Sequence, residues 1–258
     1  MLNLETKLKL LDIVQDDNVA ESLSPEDRKA IAQQVYAAWE LDQQSRSEWE
    51  QSMSDALKLA TQVAEAKTFP WPNCSNVKFP LITIAALQFH ARAYSALLPG
   101  PDVVKCRVYG SDPEGIEAAR ALRVSEHMSY QVMEEDEAWE EVHDRILITV
   151  PIVGCAFKKV FFEPRLGHNV SSFVSVRNLY IPYFASSLES ATRITEYVEV
   201  APNDMVSKVR SGLFLEEALD NTPTFSGTFS TLRQVQDTVQ GVREAADDHD
   251  RPYETLEQ

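Results

Sequence analysis

Cys155 and His143 are the nearest approach to a nucleophile and a base in this sequence, both falling near the end of one helical stretch. A thiolate–imidazole pair needs a third group to orient the histidine, and nothing in the sequence places one. Glu140 and His143 stand three residues apart on the same stretch, the spacing of half a di-metal carboxylate site. The other half is missing: no second Glu-x-x-His occurs, and His90, His127, His168 and His249 are isolated from one another. The acidic run from Glu134 to Glu141 lacks the turn glycine that would gather its oxygens around Mg²⁺ or Ca²⁺, and reads as a solvated face. Cys74, Cys106 and Cys155 form no Cys-x-x-Cys pair, which excludes a zinc ribbon or a redox dithiol. No Gly-x-Gly-x-x-Gly, no P-loop and no Gly-x-Ser-x-Gly elbow is present. The chain is therefore read as a non-enzyme that holds no metal and no cofactor.

The most unusual stretch is Phe69–Pro80, FPWPNCSNVKFP, with three prolines, one tryptophan and two phenylalanines in twelve residues. Such a loop is stiff and rich in the residue types that dominate protein–protein hot spots. It reads either as a packed connector between helices or as an interaction surface.

The elements around these residues follow from periodicity. Ser24-Pro25-Glu26-Asp27 is a helix start: a capping hydroxyl, a proline suited to the first turn, and acids at the positive end of the dipole. Ile31, Val35, Trp39, Trp49, Met53, Leu57, Ala60 and Val63 continue it as one long amphipathic helix or two end to end, with the break in Asp42–Ser47. A second helix fits Thr83–Leu98, with Ile84, Leu87, Ala91, Tyr94 and Leu98 as its inner face, and Val103–Tyr109 reads as a short strand. A third helical region starts at Asp112-Pro113-Glu114, with Ile116, Ala119, Leu122, Met128 and Val132 as its buried stripe. It resumes after the acidic run and stops at Gly154. Beyond Gly154 the period changes to two. Ala156–Phe162 and Val170–Val176 form a hairpin, Ser186–Ala191 a helical turn, and Thr192–Val200 another strand. Asn203 caps a short helix through Val209.

Charge and composition set the function class. The chain has 258 residues and a net charge of −16, with no basic block. Tight nucleic-acid binding rests on Lys and Arg neutralising phosphates, so a repressor, clamp or polymerase is not expected, whereas a surface past which DNA slides should be acidic. No apolar run is long enough to span a bilayer, so no membrane partner is expected. Three scattered cysteines suit a reducing cytoplasm.

Three blocks carry a family likeness. The first runs from Trp71 to Thr83 and on through Ala85 to Tyr94; the second is Pro151–Val160; the third is Arg177–Tyr183 followed by Ser187–Thr195. In this order and spacing, across about residues 69–215, they resemble the N-terminal region of portal proteins of tailed bacteriophages. The resemblance implies a ring at one capsid vertex, usually of twelve subunits, through which double-stranded DNA is packaged and ejected. It implies terminase, capsid or scaffolding proteins and head-completion proteins as partners, only weak contact with the passing duplex, and residence in the virion after assembly in the host cytoplasm. Family members are longer and continue beyond the equivalent of Gln258, so the chain is read as truncated, the outer wing without most of the channel. Trp71, Asn76, Phe79, Arg92, Tyr94, Gly154, Lys158 and Lys159 are the candidate intersubunit or packing residues. Of these, Trp71, Phe79 and Tyr94 would anchor contacts, and Arg92, Lys158 and Lys159 would pair with a neighbour's acids.

The expected fold class is α+β, long amphipathic helices packed with a small, mostly antiparallel sheet over about residues 155–200. Residues 1–23 are an N-terminal extension, 24–220 a wing-like domain, and 221–258 a weakly ordered acidic segment. Two rival readings stand beside the portal subunit. One is a stand-alone acidic adaptor or a non-functional prophage remnant. The other is a hydrolase whose site would show as a deep polar pocket with a perturbed titrating pair.

Overall fold

The computed structural model describes residues 18–62, 69–72, 74–75, 79–98, 100, 102–164, 166–220 and 251–258. It is an α+β fold in which helices lead and two small antiparallel sheets follow. Where the sequence suggested one domain over 24–220, the chain divides into two compact units. Residues 55–176 form one, and the flanking segments 1–54 and 177–258 form the other.

The unit built from the flanking segments starts with α1, Pro25–Ser45. Its start is the one expected: Ser24 is extended, its hydroxyl accepts the Asp27 N–H at 3.2 Å, and Pro25 opens the first turn. The helix stops at Arg46, inside the expected break, and α2, Ser47–Ala60, follows at once. Arg46 turns away because its side chain is claimed elsewhere. Its guanidinium donates to the carbonyls of Arg177 and Leu179, pairs with Glu50 at 2.6 Å and lies 3.9 Å from the Tyr180 ring centre.

Three strands complete this unit. β3 (Leu179–Tyr180) and β5 (Tyr253–Glu257) flank β4 (Thr195–Val200), all antiparallel, with Tyr180 opposite Thr195 and Tyr197 opposite Leu256. The sequence reading of 221–258 as weakly ordered needs correction at its end, because Tyr253–Glu257 is a strand paired with β4. Residues 221–250 lie outside the described residues. Trp39 of α1 meets Tyr180 edge-on at 5.6 Å, and with Tyr197 and Leu256 they form the core. The helix after β4, α6 (Pro202–Arg210), is capped by the extended Ala201 with Pro202 in its first turn. Asn203 is inside it rather than at its cap, because proline cannot sit ahead of the cap and still set the first turn.

The unit of residues 55–176 holds α3 (Leu81–Leu97), α4 (Ile116–Tyr130), a π turn over Gln131–Glu135, α5 (Trp139–Val153) and a hairpin of β1 (Phe157–Glu163) and β2 (His168–Val174). Asp112 serves the start of α4 after all: its carboxylate accepts the Ala118 N–H at 2.8 Å. Gly154 ends α5 with φ +94°, a conformation that favours glycine. The expected strand at Val103–Tyr109 is not formed, since among the described residues no neighbouring strand offers it a ladder. The Val104 backbone is bonded instead by the hydroxyls of Ser125 and Ser129 on α4. The Ser186–Ala191 segment, in the other unit, is a turn, webbed by serine hydroxyls.

The hairpin is tied to the π turn by one buried carboxylate. Asp136, which closes that turn, accepts the Ser171 N–H at 3.1 Å and the Ser171 hydroxyl. A buried carboxylate is stable only when bonded, and here both of its oxygens are used.

Candidate interaction surface

Helices α3 and α4 pack the wrong way round for a self-contained domain. On α3 the inward residues are Thr83, Ala86 and His90, followed by the half-buried Ala93 and Tyr94. They are small or polar, and their contacts are polar: Thr83 donates to the Ala60 carbonyl, His90 pairs with Asp144 at 2.7 Å, and the Tyr94 hydroxyl donates to Glu140. The last bond holds the Tyr94 proton and raises its pKa. The large side chains Leu81, Ile82, Ile84, Leu87 and Phe89 face outward, Leu87 half exposed against 2% for Ala86.

α4 repeats the pattern. Ala121, Ser125 and Ser129 turn inward, and the two serines bond Val104. Ile116, Leu122, Val124, Met128 and Tyr130 are exposed. Of the stripes expected to be buried, Ile84, Leu87 and Ala91 on α3 and Ile116, Ala119, Leu122 and Met128 on α4 lie at the surface, while Tyr94, Leu98 and Val132 are half-buried. A helix with this much apolar surface is ordinarily covered, and exposed patches of this kind mark contact sites.

The residues singled out in the sequence distribute unevenly. Trp71 and Phe79 are exposed, as is Phe69, which makes Phe69–Pro80 an open aromatic surface where described; Asn76 lies outside the described residues. Arg92 is exposed on α3. Tyr94 is spent on Glu140 within its own unit. Lys158 is also used internally, with its ammonium 5.5 Å from the Trp139 ring; burial lowers its pKa, and Asp136 opposes that shift. Lys159 lies over Phe161 on the outer strand of the hairpin.

The candidate chemistry does not assemble. His143 bonds the Trp139 carbonyl of its own helix through Nδ1 at 2.7 Å and stacks on that ring. Burial pushes the Cys155 thiol up, the opposite of what a thiolate nucleophile needs. Glu140 is held by Tyr94, and among the described residues no three His, Cys, Asp or Glu side chains gather as a metal site.

Sequence reasoning missed a cleft in the unit of the flanking segments. It has a volume of about 520 Å³ and is lined by Leu41, Asp42, Ser45, Tyr183, Phe184 and Arg193, among others. Its floor is a bidentate pair in which Arg193 donates to the buried Asp42 carboxylate at 2.6 and 2.8 Å. That pairing raises the Arg193 pKa. Tyr183 and Phe184 stand exposed at its mouth, ring against ring. The only advance signal was a chemical one, two adjacent aromatics after a proline.

Comparison with known proteins gives no family model that matches this chain and no curated protein that matches it significantly.

Proposed function

We propose that this chain is a structural subunit of the portal ring of a tailed bacteriophage, seated at the capsid vertex through which duplex DNA is packaged and ejected. The observation that carries the reading is the inversion of α3 and α4, whose apolar faces need a neighbouring chain to cover them. A ring subunit must offer two complementary faces arranged head to tail. Terminase, capsid or scaffolding and head-completion proteins are then its further partners, and the virion its final location. The net charge of −16 suits a wall past which DNA must slide. The three sequence blocks resembling portal proteins supply the family.

Immunogold labelling tests it, with an antibody against this chain applied to tailed particles released from the source cells. Gold at the single vertex joining head to tail supports the reading; gold spread over the shell, or unlabelled particles, overturns it. The same reading expects duplex DNA to bind no tighter than the roughly 10⁻⁴–10⁻⁶ M of non-specific binders at physiological salt. A submicromolar complex in fluorescence anisotropy contradicts it.

The second reading, a stand-alone acidic adaptor, is favoured by the cleft under Tyr183 and Phe184. It expects one tight complex with a basic partner and no label on particles.

A further inference from the structure

The geometry points to β1 as a self-pairing edge, through which two free copies of this chain join about a two-fold axis into a four-stranded sheet. The contact is independent of the head-to-tail faces of a ring, and stands or falls separately from the portal reading.

The two edges of the hairpin are unlike. On the β2 edge the Ser171 N–H points away from β1 and is taken by Asp136, so that edge is blocked. Ser171 is the register partner of Val160. In an antiparallel ladder, opposed residues both point their backbone groups toward each other or both away. Val160 therefore directs its N–H and C=O away from β2, and by the two-residue repeat so do Lys158 and Phe162. No strand pairs with that edge among the described residues. An unpaired edge is a template for another strand, and this one carries three consecutive exposed apolar residues, Val160, Phe161 and Phe162. A two-stranded hairpin alone is marginal in water, so a second pair of strands extends it favourably.

The occupant follows from parity and charge. When β1 meets a second β1 antiparallel, outward residues must oppose outward ones, so only registers pairing residues of the same parity are allowed. Of these, one places Lys159 opposite Glu163 twice, Val160 opposite Phe162 twice, and Phe161 opposite itself. Opposite charges and aromatic–β-branched pairs are the favourable cross-strand combinations. Of the two registers one step away, one sets Lys158 and Lys159 against phenylalanines and Glu163 against Phe157, and the other sets Glu163 against Phe161 and Val160 against Pro164. The strand is thus complementary to its own copy in a single alignment. Phe161 falls on a non-hydrogen-bonded position there, where side chains approach most closely.

The interface is small, so the dimer is weak, forming at tens of micromolar rather than nanomolar concentration. The test uses the full chain. Light scattering should show its mass rising from one chain toward two over that range. Val160→Pro removes one outward N–H without touching the β1–β2 ladder, and should abolish the rise while circular dichroism stays unchanged. With Cys74, Cys106 and Cys155 replaced by Ala, Phe161→Cys should oxidise readily to a covalent dimer, and Val160→Cys at least tenfold more slowly. Lys159→Glu or Glu163→Lys alone should suppress that cross-link, and the double exchange should restore it. A single-chain mass at every concentration overturns the proposal. So does a dimer indifferent to Val160→Pro, equal cross-linking at 160 and 161, or a charge exchange that fails to rescue.

Discussion

The unit of the flanking segments and the unit of residues 55–176 use polar residues in opposite ways. In the first, polar groups serve an apolar core. Arg46 fastens the helix break to the carbonyls of Arg177 and Leu179 at the start of β3, and Arg193 neutralises Asp42, around a centre of Trp39, Tyr180 and Tyr197. In the second, serines, a histidine and a tyrosine occupy the inward faces of α3 and α4, and the large apolar side chains point out. The first arrangement buries an aromatic centre within its own unit. The second leaves unburied the apolar area that ordinarily stabilises a fold, which is why the assembly reading rests on it.

Mutations can break this contrast. The largest effect is expected at Trp39, where Trp39→Ala empties the centre of the first core and should cost about 4 kcal/mol, read as a shift in urea midpoint. Next is Arg193→Ala, which leaves the buried Asp42 carboxylate without its partner and should cost about 3 kcal/mol. A loss below about 1 kcal/mol would mean that water reaches Asp42 through the cleft. Ser24→Ala removes the cap of α1 and should cost about 1 kcal/mol; no change would show that the first turn frays. Smallest should be Leu87→Ser and Leu122→Ser, each within about 0.5 kcal/mol in dilute solution, as for surface positions. Either one costing as much as Trp39→Ala would show that those faces are covered within the single chain, and the contrast would collapse.

Part of this architecture was legible in the sequence. The Ser24 cap, the break at Arg46, the Gly154 stop and the β1–β2 hairpin all depend on local backbone chemistry: a hydroxyl, a positive φ, a two-residue alternation. The inversion of α3 and α4 was not legible. Periodicity says which residues share a face, but not whether that face meets a core. Leu87 and Leu122 read as buried because apolar stripes usually are. Val103–Tyr109 has strand composition, yet a strand requires a partner, and the hydroxyls of Ser125 and Ser129 that claim Val104 are more than twenty residues away. β5 was missed because five residues of modest apolarity follow an acidic stretch, and only the register with β4 gives them meaning. At the candidate surface, the aromatic loop was identified by composition; Tyr94 and Lys158, read as intersubunit or packing residues, make contacts within their own unit, with Glu140 and Trp139.

One unit is interrupted in sequence by the other, and that fixes an order of events during synthesis. Every residue of the 55–176 unit has been made once Val176 is joined. The sheet of the flanking unit waits for Tyr253–Glu257, roughly eighty residues later, which at about 5–20 residues per second is several seconds. Through that interval the nascent chain can present α3 and α4 with their leucines outward, on the ribosome and before β5 exists. Neighbouring ribosomes on one messenger would hold such chains close together, so that, on the proposed assembly reading, association through those faces could begin before the last strand is in place.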